Sequence, residues 1–128
     1  MSPQLIAAVV TILLAAALYT VAVFAERRAG TLKPWHLALF WAGLVFDTTS
    51  TTLMSGLAGG FKWNLHGSLG VASIVLMLLH AVWASIALWR RDEAVLANFH
   101  RFSVAVWALW MVTLVTGFGI ALRGMLGA

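Results

Sequence analysis

Four long apolar stretches occupy nearly all of this 128-residue chain, at roughly Leu5 to Ala25, Trp35 to Leu57, Trp63 to Trp89 and Phe99 to Leu122. Each is long enough, at about 1.5 Å of rise per helical residue, to match a hydrocarbon layer about 30 Å thick. The stretches are continuously apolar rather than alternating, so they predict helices and not the strands of a membrane barrel. With 62% hydrophobic residues, 9% charged residues and a mean hydropathy of +0.97, the composition lies outside the soluble range. The expected fold is all-α: one integral membrane domain over residues 1–128, an up-down-up-down four-helix bundle with no soluble domain.

The net charge of +4 does not point to nucleic acid, because the bases collect at the ends of the stretches. Arg27, Arg28 and Lys33 sit in the first connection, and Arg90, Arg91 and Arg101 around the third; Lys62 and Arg123 are alone at the other end. The positive-inside rule then puts the first and third connections in the cytoplasm and both termini on the non-cytoplasmic side. A bacterial inner membrane is the expected location. Val23-Phe24-Ala25 resembles a signal-peptidase site, but no Lys or Arg precedes it in residues 1–10, so a retained span is expected. The absence of cysteine excludes disulfides, thiolate metal sites and cysteine nucleophiles.

The expected connections run from Glu26 to Pro34, Ala58 to Lys62 and Arg91 to Asn98. Pro34 suits a first helical turn, Asp92-Glu93 the start of the fourth helix, and Trp35, Trp63 and Trp89 the membrane interfaces.

Ionisable groups at membrane depth are costly and mark function. Asp47 reads as the sole acid within a span, about 18 Å along the helix from Trp35, and His80 lies about 13 Å from Trp89. Similar depths on neighbouring helices predict an Asp47–His80 pair. Spacings of three and four put His36, Phe40, Gly43, Asp47, Ser50 and Met54 on one face. The same rule groups His66, Gly70, Ser73, Met77, His80 and Ala84, and then His100, Ser103, Trp107, Trp110 and Leu114. All four histidines are thus expected to share one interior. The run Asp47 to Thr52 reads either as helix–helix glue or as a lining for protons, water or an ion.

His66 and His80 stand close to four whole turns apart, about 21 Å, a spacing found where one helix of a membrane b-type cytochrome serves two haems. No histidine faces His66 at its depth, so a single haem fits better than two, with His66 kept among the candidate haem-binding residues. The haem's expected ligands are His36 with His100, or either of these with His80, and Lys33 and Arg101 would serve its propionates.

A resemblance bears on the same residues. Trp35-His36-Leu37, Phe40-Trp41, Gly43-Leu44-Val45-Phe46-Asp47-Thr48-Thr49, Thr51-Thr52-Leu53-Met54, Ala58-Gly59-Gly60-Phe61, Asn64-Leu65-His66-Gly67, His80-Ala81-Val82-Trp83-Ala84, Asn98-Phe99-His100 and Phe102-Ser103 form a recurring pattern. It resembles that of the HsmA-like small four-span membrane proteins over residues 19–120. The resemblance implies four spans and points to the same Asp47 and histidines; it brings no biochemical activity with it.

Three functions follow as expectations. The first is a small redox protein, a haem-dependent oxidoreductase holding haem b and exchanging electrons with a membrane quinone. The second is a proton- or divalent-metal-handling protein, with His36, His80, His100 and Asp47 as metal ligands. The third is a structural or assembly subunit. The lipid bilayer is the expected partner, with self-association or a larger membrane complex beside it. No nucleophile–base–orienter set suggests hydrolysis.

Overall fold

A computed structural model describes residues 2–57, 59–60 and 65–125, apart from the side chains of 65, 66, 121, 122, 124 and 125. The described chain forms four helices, α1 Pro3–Ala29, α2 Pro34–Leu57, α3 Leu65–Arg90 and α4 Glu93–Met125. All four are long and apolar enough to cross a membrane. They close into a ring in which α1 meets α2 and α4, and α3 meets α2 and α4, leaving α1/α3 and α2/α4 as diagonals. Hydrogen bonds from Ser50 to Ala8 and from Tyr19 to Asp47 run antiparallel across α1 and α2, as do those of His80 with Ser103 and Ser73 with Thr113 across α3 and α4.

The helix ends follow local chemistry. Ser2 caps α1 by accepting the Leu5 N–H at 3.1 Å, with Pro3 at the first turn, where a missing N–H is harmless. At the far end Gly30, at φ 76°, sends its N–H to the Glu26 and Arg27 carbonyls, a left-handed stop that glycine takes at little cost. Arg27 and Arg28 lie in that last turn, where cations complement the helix dipole. Arg91 and Asp92 donate back to Leu88 and Ala87 to close α3, and Asp92 Oδ1 then accepts the Val95 N–H to cap α4.

These caps shift several expected boundaries. The first connection is only residues 30–33, because α1 carries the helix through Glu26 to Ala29. The third is Arg91 and Asp92, with Asn98 well inside α4. α4 also runs beyond Leu122, to Met125. Trp63, Lys62 and most of the second connection lie outside the described residues. The short first loop is pinned by the Leu32 N–H donating to the Leu96 carbonyl on α4, which closes this end of the bundle over a buried Leu32.

The polarity of the bundle is inverted relative to a water-soluble one. Leu13, Val45, Leu79, Val112 and Val115 are exposed, whereas Glu26, His36, Asp47, Ser50, Ser73, His80, Ser103 and Thr113 are buried. Gly43 allows the closest approach: a Cβ there would lie 2.5 Å from Tyr19 Cε1 on α1. Gly70, on the inward stripe expected of α3, has open space where its Cβ would stand.

Candidate functional site

Asp47 is 2% exposed and is held from two other helices. Its Oδ2 accepts the Tyr19 hydroxyl from α1 at 3.1 Å and the Trp110 indole N–H from α4 at 2.9 Å. The two aromatic rings meet edge to face, with centroids 5.0 Å apart. One carboxylate oxygen therefore joins three helices.

His80 belongs to a different cluster. Its Nε2 lies 2.7 Å from Ser103 Oγ on α4, and Ser103 Oγ lies 2.9 Å from Glu26 Oε2 and 3.2 Å from Oε1 on α1. All three residues are at most 1% exposed. Phe40, Phe99 and Phe102 surround the imidazole, with ring centroids 4.4, 5.0 and 5.6 Å away.

The expected Asp47–His80 pair is therefore not formed, although both side chains do turn inward. The partners of His80 stand two turns, about 10 Å, from those of Asp47 on every shared helix: Glu26 against Tyr19, Phe40 against Asp47, Ser103 against Trp110. Between the two clusters lie Ala22, Leu44, Met77 and Val106, all buried and apolar. Counting from Trp35 and Trp89 misjudged depth because the two tryptophans are not level: His80, nine residues from Trp89, packs on Phe40, only five residues from Trp35.

The remaining expectations divide in the same way. The inward stripe of α2 holds from His36 to Ser50, but Met54 is exposed. The threonines of the polar run face outward; Thr49 and Thr52 return their hydroxyls to the Val45 and Thr48 carbonyls, so they do not line the interior. On α4 the buried face is Phe99, Ser103, Val106, Trp110 and Thr113, which leaves His100 half-buried on the α1–α4 seam and outside the shared interior. The His66 side chain lies outside the described residues.

His36 has a structural task. Its Nδ1 accepts the Lys33 N–H at 3.0 Å, reaching back from the third position of α2 to the residue before the helix, as the acid of a capping box does. That bond requires a lone pair on Nδ1, so in the neutral ring the proton is on Nε2. Among the described residues Nε2 is buried without a hydrogen-bond partner, as are Nδ1 of His80 and Nδ1 of His100.

Glu26 is the buried acid of this site that sequence reasoning missed, and it removes Asp47's standing as the sole acid within a span. Its position was legible: Ala15, Tyr19, Ala22 and Glu26 follow three- and four-residue steps down one buried face, with Ala8 two turns before them. The adjoining Arg27-Arg28 made the segment read as a loop.

Among the described residues no three His, Cys, Asp or Glu side chains converge to hold a metal ion. Nor does an ion pair hold Glu26 or Asp47 there; hydroxyl and indole donors satisfy both carboxyls instead. Comparison of the chain with protein-family models, with curated proteins and with solved structures finds no match.

Proposed function

We propose that this chain is an integral membrane protein whose interior handles protons through Glu26, Ser103 and His80, with Asp47 as a separate polar centre deeper in the bundle. The proposed setting is a bacterial inner membrane with both termini on the non-cytoplasmic side, argued from Arg27, Arg28, Lys33, Arg90, Arg91 and Arg101 at one end of the bundle. The resemblance to the HsmA-like proteins belongs to the same proposal.

The observation that carries it is the unbroken chain carboxyl–hydroxyl–imidazole, with links of 2.9 and 2.7 Å. With Glu26 as a carboxylate the Ser103 hydroxyl donates to it and His80 Nε2–H donates to Ser103 Oγ; with Glu26 protonated both bonds reverse, the carboxyl donating to Ser103 Oγ and Ser103 to His80 Nε2. Shifting both protons one step gives a Glu26 carboxylate, a re-formed Ser103 hydroxyl and a His80 imidazolium. This internal shift brings no net charge into the buried site; only the exchange of a proton with water changes that charge, by one, and it is this exchange that a pH step reads. Glu26 lies one turn from the end of α1, so exchange with water is expected from the basic end of the bundle. The apolar layer towards Asp47 makes this a one-sided proton store, not a continuous wire.

The order of groups also separates the cluster from a hydrolytic triad. Here serine stands between acid and imidazole, with no third group behind the imidazole to orient it as a base, and Ser103 is 1% exposed.

Infrared difference spectra of purified protein in nanodiscs, recorded across a pH step, test this reading. A buried carboxyl C=O band is expected that vanishes in Glu26→Gln and shifts in Ser103→Ala. A pH-insensitive interior, or a band unaffected by Glu26→Gln, would leave the cluster a structural lock.

Haem asks more of this arrangement. Ligation through His36 Nε2 requires the proton to move to Nδ1 and so sacrifices the Lys33 cap; a haem on His80 must displace the three phenylalanine rings around it. Absorbance decides the matter: purified protein is expected to be colourless, and a reduced α band would put haem ahead of the relay.

A further inference from the structure

Where α1 and α4 meet at the basic end, Arg27, His100, Arg101 and Val104 line a concave surface site. Neither guanidinium makes a hydrogen bond or ion pair within the described residues, and the adjacent acid, Glu26, is turned away into the interior. The half-buried His100 lines the same hollow. Two guanidiniums at one hollow, unpaired among the described residues, form a receptor for a phosphate oxyanion, since planar guanidinium forks match phosphate geometry.

The same seam continues away from the basic end as an apolar surface. Val104 gives way to Phe24 and Trp107, whose rings stack edge to face with centroids 5.1 Å apart. Phe24 is 40% exposed, and Trp107 is fixed by its indole N–H donating to Thr20 at 3.0 Å. A polar socket followed along one groove by an apolar track is amphipathic in the sense that a phospholipid is.

We propose that the Arg27–His100–Arg101 hollow binds the phosphate group of an anionic phospholipid, with an acyl chain lying on Phe24 and Trp107. The site rests on the membrane reading but is independent of the proton relay. Basic pockets between spans at the cytoplasmic leaflet are the general setting for such recognition.

Thermal unfolding in nanodiscs tests it. Replacing phosphatidylcholine by a mixture containing phosphatidylglycerol is expected to raise the Tm by about 5 °C, and Arg27→Gln with Arg101→Gln to abolish that rise. Arg28→Gln, in the same turn but outside the hollow, is expected to keep it. Inorganic phosphate added to phosphatidylcholine discs separates the sources. No rise there supports a lipid ligand, whereas the full rise, lost in the double variant, keeps the phosphate site but overturns its lipid occupant. An equal Tm in both lipids, or a rise that survives the double variant, overturns the site itself. So does a rise lost equally in Arg28→Gln, since that response belongs to net charge. Should the double variant not purify, Arg101→Gln alone is expected to lose about half the rise, and an undiminished rise would count against the hollow.

Discussion

Asp47→Ala is expected to cost the bundle about 2–4 kcal/mol, because it leaves two buried donors, the Tyr19 hydroxyl and the Trp110 indole N–H, without their common acceptor. The residue ties α1, α2 and α4 through a single oxygen, so the loss is felt at two seams at once. Asp47→Asn keeps a carbonyl oxygen in place and is expected to cost about 1 kcal/mol or less. Removing the donors as well, in Asp47→Ala combined with Tyr19→Phe and Trp110→Phe, is expected to recover part of the loss, since an apolar set carries no unsatisfied group. Unfolding in mixed micelles, followed by tryptophan fluorescence, measures all three. Equal stability of the alanine and asparagine variants would mean that the carboxyl has no structural part.

Gly43→Ala carries the second large effect. The added methyl meets Tyr19 Cε1 at 2.5 Å and Cδ1 at 2.6 Å, well inside contact distance. The ring cannot swing aside cheaply, because its hydroxyl is bonded to Asp47 and its edge is packed on Trp110. The helices must separate instead, at a cost expected for overpacking of about 1–3 kcal/mol. Since the displaced ring belongs to the Asp47 cluster, Gly43→Ala and Asp47→Asn should not add; their coupling in a double-mutant cycle is the check. The infrared band assigned to Glu26 should be unchanged in Gly43→Ala, because that residue lies two turns away.

What could be read from the chain, and what could not, follows from the physics of each signal. Four helices were legible because apolar runs of this length have few other uses. The inward faces of α2 and α3 were legible from Gly43, Asp47, Ser50, Ser73, Met77 and His80, where small and polar residues recur at helical spacing. Pairing across helices was not legible, because it depends on how far each helix slides along its neighbour, and no residue in one helix records that slide. Glu26 was hidden by its neighbours. One helical step is about 100°, enough to turn Glu26 into the core while Arg27 and Arg28 remain outside, so a charged triplet that reads as a loop is a helix with one inward acid. His36 shows the converse: its residue type suggested a ligand, whereas its position at the start of α2 gives it a backbone N–H to satisfy.

Ala22, Leu44, Met77 and Val106 have a consequence beyond filling space. They carry no group that can pass or accept a proton, so they act as an insulating washer between two acids in one small barrel of helices. Titration of Glu26 reaches Asp47 only as a weak field and never as a hop. In the proposed relay, then, one carboxyl is the exchanging group and the second is fixed as a rivet.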